Sequence, residues 1–330
     1  MEKFKLLFVI SVVFLFSFIS SSAATAAGHT VVWQDNRDGG TNSHLYYKNT
    51  GTGSGGRVSN FDSEQQNSCI SGNTVVWVDN RDGGSNYHIY YKNLATGKGG
   101  RVSNTDSNQN DPTISGNIVV WEDNRDAGHI LHLYYKNLAT GSGGRVSKFN
   151  SNQWYPSISG NTVVWIDTRN GGYNLYYKNI STGKGGRVTS YSSTQSNPSI
   201  SGNIVVWSDN RDPGSNWHLY YKNLATGKEG RVSSTDSGQY YANISGNIVV
   251  WQDDRDVLAS VYFKNLSTGK GGRIFANNSY QYYPDVSGNI VVWMDNRDGA
   301  NWHIYSKNLI NSTLGRVSNK DSNQYNPEIS

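Results

Sequence analysis

Thr74-Val75-Val76-Trp77-Val78-Asp79-Asn80-Arg81-Asp82-Gly83, followed by His88-Ile89-Tyr90-Tyr91-Lys92-Asn93, is one of seven copies of a single phrase in this chain. The copies centre on Trp33, Trp77, Trp121, Trp165, Trp207, Trp251 and Trp293, spaced 44, 44, 44, 42, 44 and 42 residues apart. β-Branched and aromatic runs bounded by Gly/Asn turns read as short strands. A period in the forties built from such strands predicts an all-β fold, a β-propeller with one blade per copy. Each copy parses into four antiparallel strands. In the second, A ends at Cys69-Ile70, B is Thr74–Asp79, C is His88–Leu94 and D is Arg101–Ser103, with B and C the inner apolar strands.

The first copy begins inside its A–B turn at Gly28, and the chain ends at Pro327-Glu328-Ile329-Ser330, an A strand with no B after it. Residues 28–330 amount to seven mean periods. The arithmetic predicts a closed seven-bladed ring whose C-terminal strand completes the first blade. An open solenoid would need atypical capping repeats, and the end repeats are ordinary.

Residues 1–27 read as a secretory signal peptide. Lys3 and Lys5 precede the apolar run Leu6–Ile19, which ends in Ala24-Thr25-Ala26-Ala27. That run is shorter than the about 20 residues a membrane span needs. The expectation is a secreted or cell-surface protein, with no membrane insertion after cleavage. Lys and Arg are spread evenly through the repeats, which argues against a nucleic-acid partner. Cys69 is the single cysteine, so no intrachain disulfide forms, and a buried inert thiol is expected. No cofactor or metal is implied. The Asp-Asn-Arg-Asp-Gly turn puts an Arg where a calcium loop needs an oxygen ligand.

Residues present in every copy are assigned to scaffold. The tryptophans fill spaces between blades, and the following Asp and Arg (Asp35 and Arg37 through Asp295 and Arg297) staple blade to blade. The histidines opening strand C (His44, His88, His132, His218, His303) make strand-end hydrogen bonds. The repeated Ser-x-Gln satisfies the D–A linker. Neither a Gly-x-Ser-x-Gly elbow nor a paired-acid feature breaks the pattern, so no catalytic residue is assigned. Asp111, Asp285 and Glu328 are off-pattern carboxylates, read as belonging to blades two, seven and one.

The copies disagree at the two residues after the repeated Gln. Trp154-Tyr155, Tyr240-Tyr241, Tyr282-Tyr283 and Tyr325 fall there, while Trp217 and Trp302 end B–C loops on the same face. These nine aromatics are the candidate ligand-binding residues, forming an arc suited to sugar stacking or to docking a protein segment. Sequons stand at Asn179, Asn243, Asn265, Asn277 and Asn311, with Asn243 in a strand and the poorest acceptor.

The string Val-Val-Trp-x-Asp-Asn-Arg-Asp-Gly with His-Leu-Tyr-Tyr-Lys-Asn-Leu resembles the propeller repeats of archaeal cell-surface proteins, themselves similar to the TolB-type repeats of periplasmic proteins. The resemblance covers residues 28–330. It implies a non-enzymatic surface, adhesion or envelope-associated binding module with a protein or carbohydrate ligand. A glycan-binding lectin is the alternative, and a propeller lyase or glycosidase stands third.

Overall fold

The computed structural model describes residues 28–126, 130–214 and 216–330; the signal-peptide expectation for residues 1–27 lies outside them. Seven four-stranded antiparallel sheets make a seven-bladed β-propeller. In blade 2 the strands are A (Gln65–Ser71), B (Thr74–Asp79), C (His88–Asn93) and D (Gly99–Arg101). Strand A, rather than B or C, is innermost and borders a central lumen.

Blade 1 closes as expected. Its A strand is the C-terminal segment Gln324–Ile329, paired with Thr30–Asp35 through Val31↔Ile329 and Asp35↔Gln324. The seven tryptophans are buried in seams between blades. Trp77, for example, packs with Ile70, Val75 and Tyr90 of its own blade and with Val32, Leu45 and Val58 of blade 1. A buried indole would leave its N–H unsatisfied, and the Asp two residues on accepts it: Trp77 Nε1 donates to Asp79 Oδ2 at 2.8 Å. The same Asp takes the Arg81 N–H at 2.8 Å and the Arg81 guanidinium. The Asp–Arg pair is therefore closed within the blade, which corrects its assignment as a blade-to-blade staple. Arg81 reaches toward the neighbour by donating to Ser59 Oγ at 3.1 Å and by stacking on Phe61 of the linker that leaves blade 1, its guanidinium 4.1 Å from the Phe61 ring and 4.1 Å from the Tyr90 ring of its own blade.

Two other repeated residues make the staples. The Lys of Tyr-Tyr-Lys-Asn reaches back to the carbonyl just past strand D of the preceding blade, as when Lys92 Nζ donates to Val58 O at 2.7 Å, strand D of blade 1 being Gly55–Arg57. The repeated Gln binds the preceding blade from strand A. Its Oε1 accepts the second N–H of that blade's strand C (Ile89 N–H to Gln109 Oε1, 3.1 Å), while its own N–H donates to the B–C loop (Gln109 to Tyr87 O, 2.8 Å). Those contacts place the D–A linkers and B–C loops on one face. Two of the histidines hydrogen-bond at strand ends as expected, His44 Nε2 with Asp62 Oδ1 at 3.2 Å and His218 Nε2 with Asp236 Oδ1 at 3.1 Å, while His132 Nδ1 lies 2.7 Å from Asp126.

Candidate functional site: the lumen and its mouth

Strand A does not run straight. Each of the seven carries a bulge after its second residue, and the third residue adopts a left-handed backbone with φ between 44° and 52°. These residues are Asn67, Asp111, Tyr155, Asn197, Tyr241, Tyr283 and Asn326. Five of the six prolines follow directly, at a position where the bulge needs no N–H donor. The bulge aims the third residue into the lumen, whose volume is about 500 Å³.

Below this ring, about 7 Å deeper by strand rise, the fifth residues form another: Cys69, Thr113, Ser157, Ser199, Asn243, Asp285 and Glu328. The far end is ringed by the serines that close strand A. Several tie one blade to the next, as when Gly116 N–H donates to Ser71 Oγ at 3.0 Å. Asn243, the sequon in a strand, faces the lumen and donates to Pro284 O at 3.0 Å.

The candidate aromatics divide by bulge geometry. Tyr155, Tyr241 and Tyr283 line the lumen and are 49%, 41% and 39% exposed. Tyr241 and Tyr283 lie together, ring centroids 4.7 Å apart. The other member of each variable pair turns away from the lumen. Trp154 packs on the Ile166 and Leu175 cluster and against Tyr173; Tyr282, Trp302 and Tyr325 pack on the Met294 and Ile304 cluster. Tyr240 sits in a separate shallow recess with Asn216, Asp254 and Arg255. Trp217 is half-buried at the end of its B–C loop, where its carbonyl accepts the Gln239 N–H at 2.9 Å. The aromatic arc is thus a seam-filling set plus three lumen tyrosines. Tyr280, outside the candidate list, extends it by stacking on Tyr282 at 5.9 Å.

Two carboxyl pairs also break the repeat, contrary to the sequence expectation. Asp111 lies on strand A of blade 3 (Gln109–Ser115), not blade 2, and pairs with Glu122 of strand B. Glu122 is buried, and one of its oxygens accepts the Tyr155 N–H from the next blade at 2.8 Å. Burial first, and then the Asp111 charge, push Glu122 up to about 8. The second pair is Asp285 and Glu328. Asp285 Oδ2 accepts the Ile329 N–H at 2.9 Å, one residue from Glu328. Burial pushes Asp285 up to about 6 and, helped by the Asp285 charge, raises Glu328 well above the carboxylate range. Cys69 stands half-buried in the lumen wall rather than in the core. Burial, and then the Glu328 charge, push its thiol up to about 12, leaving it protonated and unreactive as a nucleophile.

Raised carboxyl groups make stability fall as pH rises. Between the ordinary 4.5 and about 8 the folded chain holds a proton on Glu122 that the unfolded chain releases. Thermal melts of Glu122→Gln should therefore fall less steeply than those of the parent from pH 5 to 8. At pH 8 the variant should be the more stable by about 1 kcal/mol or more, roughly 2–4 °C in Tm. Parallel melting curves across that window would mean that the folded chain does not hold that proton on Glu122.

No protein-family model and no curated protein matches the chain. Solved structures do. The β-propeller domain of the Trilobed protease from Pyrococcus furiosus aligns with TM-score 0.68 and 12% identity over 89% of this chain and 92% of that one. TolB from Acinetobacter baumannii aligns with TM-score 0.53 and 15% identity, covering 92% and 66%. A puromycin-hydrolyzing peptidase from Mycobacterium tuberculosis aligns with TM-score 0.67 and 11% identity, covering 89% of this chain and 52% of the peptidase. At such identities the likeness is one of fold, and it places the chain among the β-propellers.

Proposed function

We propose that the protein is a secreted or cell-surface propeller that acts as a non-enzymatic binding module, with its ligand seated at the lumen mouth on Tyr155, Tyr241 and Tyr283. The observation that carries this reading is the residue type at the bulge. Asn and Asp tolerate a left-handed backbone and stand there in blades 1, 2, 3 and 5. Tyr gains no such local compensation, yet it occupies blades 4, 6 and 7 and stays 39–49% exposed. Backbone strain held by an exposed aromatic side chain points to contact with something outside the fold.

A binding role suits the lumen better than a catalytic one. The lumen thiol is pushed up to about 12, and Glu122, the buried partner of Asp111, spends an oxygen on the Tyr155 N–H. The resemblance of the repeat string to archaeal surface propellers supports a surface or envelope setting. The amides that alternate with the tyrosines, Asn197 between Tyr155 and Tyr241 and Asn326 beside Tyr283, add hydrogen-bonding groups to the mouth.

The test replaces Tyr155, Tyr241 and Tyr283 together by Asn, the residue of blades 1, 2 and 5. Binding to intact cell envelopes and to glycan arrays should drop at least about tenfold, with folding stability kept within about 1 kcal/mol. Undiminished binding by a folded triple variant would dismiss the mouth as the site.

A further inference from the structure

We infer that the lumen is a site for a primary ammonium group on a slim alkyl chain, entering between the tyrosines and ending at Asp285 and Glu328. The inference rests on the reading of the mouth as a ligand site and names the chemistry of the ligand.

Charge is the first argument. The chain carries 29 Lys and Arg against 25 Asp and Glu. Among the described residues, however, every charged side chain in the lumen wall is acidic: Asp111, Asp285 and Glu328. The repeated lysines and arginines are held on other surfaces by the blade contacts described above. A basic protein with an acidic lumen selects cations there and repels them elsewhere.

Hydrogen-bonding capacity is the second. Asp285 spends Oδ2 on the Ile329 N–H. Only burial and the Asp285 charge act on the Glu328 carboxyl, with no donor from the described residues. In the same wall Ser68 Oγ has no hydrogen-bond partner, although the residue is only 8% exposed. An ammonium group brings three donors, which a carboxylate pair and a serine oxygen can accept. A buried carboxyl pair with an unmet hydroxyl costs stability unless something fills it.

The tyrosines are the third. Tyr241 and Tyr283, tilted against each other at 4.7 Å, line the mouth together with Tyr155. Aromatic faces attract cations, and the pairing of such rings with a carboxylate is a general way to hold an ammonium group. A lumen of about 500 Å³ accommodates an alkyl chain of several carbons.

Two sources present this chemistry, a free diamine and a lysine side chain, and the experiment separates them. The full chain is titrated by calorimetry with cadaverine and with acetyl-Ala-Lys-Ala-amide. Controls are 1-pentanol, the norleucine peptide and calcium chloride. The expected result is saturable binding of at least one amine with Kd about 1 mM or tighter and its neutral isostere at least about tenfold weaker. The arm that binds identifies the source. Glu328→Gln should weaken the amine about tenfold or more while leaving the melting temperature within a few degrees, since no partner of its carboxyl is lost. Tyr283→Leu should weaken it by a smaller factor, and its mouth position keeps this second variant folded.

Equal binding of amine and isostere overturns the proposal. So does an amine affinity indifferent to Glu328→Gln, or calcium displacing the amine at lower concentration. Failure of the amines while the triple Asn variant still loses envelope binding would sink this inference alone. Amine binding without any dependence of envelope attachment on the tyrosines would sink the mouth reading instead.

Discussion

Deleting Ser322–Ser330 is expected to abolish the single cooperative melt of the propeller. The segment supplies the A strand of blade 1, and its loss acts at several levels together. The ladder from Val31↔Ile329 to Asp35↔Gln324 disappears, turning Thr30–Asp35 into an open edge. Ile329 leaves the cluster it shares with Val31, Trp33, Val292 and Ile304, which spans the seam between blades 7 and 1. Ile304 loses the Gln324 oxygen that accepts its N–H, Asp35 loses the Ser322 hydroxyl at 2.7 Å, and Asp285 loses the Ile329 N–H.

Each buried group left unpaired costs about 1–3 kcal/mol, and emptying the Ile329 site about 2–5 kcal/mol more. Together these approach the about 5–15 kcal/mol that holds a domain folded. The truncated chain should show a lowered, broadened thermal transition and, through its open edge, concentration-dependent association on gel filtration. A truncated monomer melting within about 3 °C of the intact chain would show that ring closure contributes little.

The ring itself was legible because repetition converts a weak signal into a strong one. A single Val-Val-Trp-x-Asp-x-Arg is an ordinary strand end; seven in register define blade number, strand order and closure. The tryptophan seams and the shared face of the D–A and B–C connections followed from the same grammar. What escaped was three-dimensional at the scale of one residue. An alternating strand predicts that Tyr240 and Tyr241 face opposite sides, but nothing local says which side is the lumen. The bulge decides it, through a φ of 51° at Tyr241.

The Lys92 contact with Val58 O escaped for a different reason, since its partner is a backbone carbonyl 34 residues away in another blade. Glu122 was hidden in the x of Trp-x-Asp, a slot read as free to vary. A carboxyl standing alone where the other copies have Gln34, Val78, Ile166, Ser208, Gln252 and Met294 was the available signal. Its partner Asp111 stands out as an off-pattern carboxylate, but counting it into blade 2 sets the two acids on separate sheets, whereas both lie in blade 3.

Replacing Asp123 by Ala should cost about 3–5 kcal/mol, although the residue does not line the lumen. Its carboxylate is fully buried and accepts from Trp121 Nε1 at 2.9 Å, Arg125 N at 2.9 Å, Ser107 Oγ at 2.8 Å and the Arg125 guanidinium. Burial alone would raise its pKa, but the bonds from Arg125, Trp121 and Ser107 outweigh that and hold it below the usual range. Alanine leaves an indole N–H, a hydroxyl and a guanidinium without their acceptor. The guanidinium keeps only Ser103 Oγ at 3.1 Å and the Tyr134 ring at 3.9 Å.

Asp123→Asn retains one acceptor oxygen but points an amide at donors, so its cost should fall between the parent and the alanine variant. The acid limb supplies an independent check. A depressed native pKa contributes stability that is present above about pH 4 and is lost as pH falls through the native value. Asp123→Asn should therefore lose less stability than the parent when acidified below pH 4. The control is Asp106→Ala, whose side chain is 86% exposed, and which should change stability by less than about 0.5 kcal/mol. Equal effects of Asp106→Ala and Asp123→Ala would mean that the repeated Asp is not the keystone of its blade. A large effect of Asp123→Ala on one sharp transition would mean that a lesion in blade 3 is felt around the whole ring, because each blade is packed into two seams and closure leaves no free end from which to fray.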